Sequence, residues 1–179
     1  YKINEKIKSF KNINNTQSNS KSIKRAAKLI SNSSKVIIIV GGGIKYTSGF
    51  KTIIKLAEYL NVPIVTAAGH GDAIPFNHKL NAGQMGPRGN LVATKLTKEA
   101  DVIMAIGTRL GFNSTFLSYE YINKKAKIIQ IELEKKMLGR YFPIQIGINA
   151  DAETSANQIL KELKKQKIKL EVKNWTKQF

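Results

Sequence analysis

The chain has no cysteine, which excludes disulfides, thiolate zinc sites and cysteine nucleophiles and fits a reducing, cytoplasmic setting. Only two histidines occur, His70 and His78; neither sits in a pattern of metal-ligand spacing, so no metal is assigned. Gly-x-Ser-x-Gly is absent too, and no Ser-His-Asp constellation can be argued. No run of 18 apolar residues is present, so no membrane-spanning helix is expected. Nor does a signal-type segment follow Tyr1, which reads as a start cut from something longer.

Acidic residues are scarce, twelve against thirty basic ones, for a net charge of +18. Such an excess would ordinarily suggest nucleic acid or an anionic membrane as partner. Its distribution argues otherwise. Residues 1–35 hold nine basic and one acidic side chain, residues 160–179 seven and two, and the 124 residues between them only fourteen and nine. Arginine supplies 4 of the 30 basic residues, whereas bidentate recognition of phosphates and guanine edges favours arginine over lysine. Lys, Ile and Asn together make up 65 of 179 residues, the mark of an AT-rich coding bias rather than of a binding surface. Neither a nucleic-acid nor a membrane partner is expected.

What is present suits one domain with a substantial core: 179 residues, 42% of them hydrophobic. Residues 1–20 are polar and read as a linker, the body runs over 21–167, and 168–179 read as a second linker towards a further domain. Ile23, Ala26, Ala27 and Ile30 have the spacing of a helix with one buried face. Val36-Ile37-Ile38-Ile39-Val40 is an unbroken β-branched run, as in a strand covered on both faces. A helix over 49–60, a strand over 63–66, a turn-rich stretch with a short strand near 80–83, a helix over 89–98 and strands at 101–106, 127–131 and 144–148 follow. The last helix runs from about Asp151, which can cap it, to Lys167. Strands alternating with helices imply an α/β fold with a doubly wound parallel sheet.

In such a sheet ligands bind at the carboxyl ends of the strands, where the winding reverses. Gly41-Gly42-Gly43 directly follows the first strand and either brings backbone amides to a phosphate or forms a tight turn that needs positive φ. It matches neither G-x-G-x-x-G nor the P-loop pattern. Gly107-Thr108-Arg109 ends a later strand with a hydroxyl and a guanidinium, suited to a pyrophosphate or to a solvated loop. Glu132 stands where an acid can accept from a ribose hydroxyl, and Glu134 alternates to the other face.

The runs V-G-G-G-I-K-Y-T-S-G (40–49), P-I-V-T (63–66), G-D-A-I-P-F-N-H (71–78), N-A-G-Q-M-G-P-R-G (81–89), A-D-V-I-M-A-I-G-T-R-L (100–110), A-K-I-I-Q-I-E-L-E (126–134) and I-G-I-N-A-D-A (146–152) resemble the central domain of thiamine-diphosphate-dependent enzymes. The resemblance is to the acetolactate synthase group, with sulfoacetaldehyde acetyltransferase and glyoxylate carboligase as near relatives. It implies a Rossmann-like sheet of about six strands, in a longer chain that decarboxylates or cleaves a 2-oxo-type donor and transfers the activated aldehyde. Thiamine diphosphate and magnesium would then be held by flanking pyrimidine- and diphosphate-binding domains of the same chain, in a homo-oligomer, and this segment alone would hold no catalytic residue and be inactive. The alternative is a free-standing nucleotide-binding or regulatory module.

For this domain the resemblance implies a cleft for FAD or ADP, or an empty one. Gly41, Gly42, Gly43, Thr66, Gly83, Gly86, Gly107, Thr108, Arg109, Glu132 and Asp151 are the residues that match the contact positions or lie among them. Other positions depart: Gly111 and Asn113 stand where the FAD-binding members have an Asp and an Arg, and Met137 where they have a Glu. The lost Arg weighs against FAD, since a charge-assisted bond is worth about 1.5–3 kcal/mol.

Overall fold

The computed structural model describes residues 18–46 and 49–170; most of each expected linker, with Trp175, lies outside the described residues. The β-branched runs become the middle of the sheet. Strand β1 (Val36–Val40) and strand β4 (Val102–Ile106) are buried along their whole length, and they pair in parallel from Val36 opposite Val102 to Val40 opposite Ile106. Strands β2 (Ile64–Thr66) and β3 (Asn81–Gln84) extend the sheet on one side, and β5 (Lys127–Glu132) and β6 (Ile146–Asn149) on the other. The order is β3-β2-β1-β4-β5-β6 with every pairing parallel; a doubly wound parallel sheet of about six strands is what the sequence led us to expect.

Helix α1 (Ser20–Ser31) buries Ile23, Ala26, Ala27 and Ile30, and the side chain of Asn19 caps it by accepting from the Lys21 amide. Helix α2 (Gly49–Leu60) buries Ile53, Leu56, Ala57 and Leu60, and α3 (Leu91–Glu99), capped by Asn90, packs beside β3. A four-residue turn of helix, α4 (Phe112–Thr115), precedes β5. Helix α5 (Ala152–Lys165) buries Ala156, Ile159, Leu160 and Leu163 and packs on both α1 and α2. Ile168 and Leu170, which the sequence reading gives to a linker, lie partly buried against the core. No helix among the described residues is long and apolar enough to cross a membrane.

One carboxylate ties the amino ends of the central strands together. Asp101 accepts from the amide and hydroxyl of Ser34 at 2.9 and 3.0 Å and from the Lys35 amide at 3.0 Å. Its own amide donates to Lys35 O and its carbonyl accepts from Lys127, both at 2.9 Å. Asp101→Ala is therefore expected to cost about 2 kcal/mol, because three donors lose their acceptor at a partly solvated site. A urea midpoint within error of the parent would contradict this.

Candidate functional site

The turns at the carboxyl ends of β1, β2, β4, β5 and β6 surround a cavity of about 510 Å³, well within the range of small-molecule sites. It lies where the strand order reverses between β1 and β4. Gly42 and Gly43 reach it from β1; Ala67, Ala68 and His70 from β2; Gly107, Thr108 and Arg109 from β4; Glu132 and Leu133 from β5; and Asp151 from the start of α5.

Close backbone packing explains the glycines on each side of the reversal. A β-carbon on Gly43 would lie 2.7 Å from the Gly107 α-carbon, and one on Gly107 would lie 2.9 Å from the Gly43 α-carbon. Gly107 also has φ of +60°, whereas none of Gly41, Gly42 and Gly43 is in the positive-φ region, so the first loop is not the left-handed turn that was one of its two readings. The Gly41 and Gly43 amides donate to the carbonyls of Ile106 at 3.1 Å and Gly107 at 3.0 Å. Two of the three amides offered to a phosphate are thus taken by the neighbouring strand.

Four expected site residues do not line the cavity: Gly41, Thr66, Gly83 and Gly86. Gly83 makes room for the Asn90 side chain and Gly86 for the Ser114 carbonyl, both parts of the fold rather than of the cleft. Thr66 ends β2 with its hydroxyl buried and unpartnered. The other seven line it. Asp151 does so while capping α5, its carboxylate accepting from the Thr154 amide at 2.8 Å, so the capping and lining roles coincide.

Arg109 is about half exposed, and its Nη2 donates to Glu134 Oε2 at 3.2 Å. Contrary to expectation, Glu134 does not face away from Glu132: residues two apart share a face of a strand, and beyond the end of β5 at Glu132 the chain turns, with the Glu134 amide donating to Glu132 Oε1 at 3.2 Å. Gln130, 2% exposed, fixes the loops on each side: Nε2 donates to Thr108 O and Met137 O, and Oε1 accepts from the Gly139 amide. Sequence reading missed His70, whose ring lies over Gly42 so closely that a β-carbon there would sit 2.7 Å from Cε1. The glycine opposite it was the only signal, and a single sequence does not pair the two.

Beside the cavity, Lys45 pairs with Asp72 and joins the 3₁₀ turn Gly42–Tyr46 to the turn Gly71–Ala73. The Lys45 hydrogen bond is the first cause that holds the Asp72 carboxyl below its ordinary value. The pair's contribution is then present above the ordinary carboxylate range and fades as pH falls through the lowered Asp72 value. An NMR titration is expected to show the depressed Asp72 midpoint and an upward shift towards the ordinary value in Lys45→Ala; an unchanged midpoint in that variant would contradict the pairing.

A six-stranded parallel sheet in this order, with a cavity at its reversal point, defines an α/β domain of the Rossmann-like class. The chain belongs to the thiamine pyrophosphate enzyme central-domain family, whose profile matches residues 23–163. It is 36% identical over 149 residues to a sulfoacetaldehyde acetyltransferase of Castellaniella defragrans, covering 82% of this chain and 25% of the relative. To a probable acetolactate synthase large subunit of Methanocaldococcus jannaschii it is 32% identical over 152 residues, covering 85% and 25%. To a 3D-(3,5/4)-trihydroxycyclohexane-1,2-dione hydrolase of Geobacillus thermodenitrificans it is 31% identical over 145 residues, covering 80% and 22%. The chain thus spans about a quarter of the length of the curated relatives it matches.

Proposed function

We propose that this chain is the middle domain of a thiamine-diphosphate-dependent enzyme that decarboxylates or cleaves a 2-oxo-type donor and passes the activated aldehyde to an acceptor. Its own part is to scaffold the flanking domains and to hold a ligand containing an adenine nucleoside. The family match across residues 23–163 carries this reading. Relatives named as an acetyltransferase, a synthase and a hydrolase all contain the domain within chains about four times as long, which disfavours a free-standing nucleotide-binding module.

Thiamine diphosphate, when bound in the longer chain, supplies the electron sink for cleavage beside a carbonyl. The pyrimidine, diphosphate and magnesium contacts are assigned to flanking domains of the longer chain, in keeping with the match of this segment to the central domain of the family. The expected setting is a cytoplasmic homo-oligomer.

Within the cleft, Glu132 can accept from ribose hydroxyls, and Ala67, Ala68 and Leu133 offer apolar surface to a base. The residues present do not fit FAD: Gly111 and Asn113, both in the lining, carry no charge for a pyrophosphate.

The segment 1–179 mixed with thiamine diphosphate, magnesium and a 2-oxo acid is expected to release no carbon dioxide, while the full chain that carries it does. Turnover by the segment alone would overturn the division of labour, and a full chain inactive on every 2-oxo donor would overturn the activity.

A further inference from the structure

The cleft's charge is at odds with that of the chain around it. The protein carries a net charge of +18, yet the charged side chains that line the cavity are one arginine and two carboxylates, Arg109, Glu132 and Asp151. Several groups that could receive a diphosphate are already engaged. The Gly41 and Gly43 amides are bonded to the carbonyls of Ile106 and Gly107. Arg109 is held by Glu134 at 3.2 Å. The α5 amino end, whose dipole would favour an anion, is capped by Asp151, which puts a full negative charge where that anion would lie.

The rest of the lining suits the uncharged parts of a nucleoside. Ala67 and Ile131 are apolar and buried and Ala68 is half-buried, and Phe112 and Leu133 stand exposed at 61% and 44%, presenting an aromatic and an aliphatic side chain on which a base can stack.

We propose, building on the nucleoside reading above, that this cleft selects an uncharged purine nucleoside over its diphosphate, and that Glu134 is the residue that sets the selection. By pairing with Arg109 it withdraws the one arginine or lysine in the cavity's lining, and it adds a negative charge next to where phosphates would emerge. Glu132 stays in the lining to meet the ribose.

Calorimetry on the full chain, saturated with thiamine diphosphate and magnesium so that other diphosphate pockets are filled, tests this with adenosine and ADP as probes. Adenosine is expected to bind at least as tightly as ADP. Glu134→Gln is expected to tighten ADP by about threefold to fivefold, the worth of a half-exposed ion pair, and to leave adenosine unchanged. ADP binding more tightly than adenosine in the parent would overturn the proposal while sparing the nucleoside reading. An unchanged ADP affinity in Glu134→Gln, or an adenosine affinity that moves with it, would overturn the role of Glu134. No binding of either probe at millimolar concentration would overturn both the nucleoside reading and the proposal.

Discussion

Gly107→Val is expected to lower stability by about 3 kcal/mol or more and to abolish ligand binding in the cleft. Two costs combine. At φ of +60° a β-branched residue is strained by about 1–2 kcal/mol, and its β-carbon would lie 2.9 Å from the Gly43 α-carbon and 3.0 Å from the Gly43 carbonyl carbon and the Ile44 nitrogen. These are backbone atoms tied to β4 by the Gly43 amide, so relief requires moving the β1 loop and with it one wall of the cavity. Overpacking of this kind costs about 1–3 kcal/mol in its own right. Gly71→Ala is the control: nothing lies within 4 Å of its β-carbon position, and the change should stay within about 0.5 kcal/mol. Chemical denaturation of both variants reads the contrast, and equal midpoints would contradict the packing argument.

Gln130→Leu is expected to cost about 2–4 kcal/mol although it conserves side-chain volume. The substitution strips partners from Thr108 O, Met137 O and Gly139 N in one step, and each buried polar group left unpaired costs about 1–3 kcal/mol, less where water can reach it. Because Thr108 adjoins Arg109, the loop after β4 should loosen, so ligand affinity should fall together with stability. Urea denaturation paired with calorimetry separates a local from a general effect; a fully stable variant that binds as the parent does would show that Gln130 merely fills space.

The centre of the fold was readable because its signals are local. Val36–Val40 and Val102–Ile106 are β-branched or apolar throughout, and both are buried along their whole length. Boundaries moved by one or two residues where the capping residue precedes the helix, as at Asn90 before α3 and Asp151 before α5. The cleft's position followed from the rule that ligands sit at the carboxyl ends of parallel strands, but its lining did not. Gly83 and Gly86 looked like ligand glycines and instead accommodate Asn90 and Ser114, a distinction that depends on which distant residue faces each one. Glu134 pairs with Arg109 from the turn that follows the end of β5 at Glu132, and the reading that set it on the opposite face misapplied the two-residue period, which puts residues two apart on one face. The four-residue α4 is too short to show a helical period.

The most direct test of the central claim is the full reading frame that contains this segment, read outward from Tyr1 and Phe179. The account predicts a preceding pyrimidine-binding domain and a following diphosphate-binding domain in the same frame. A frame that closes on both sides of the segment with neither domain would contradict it and leave a free-standing domain.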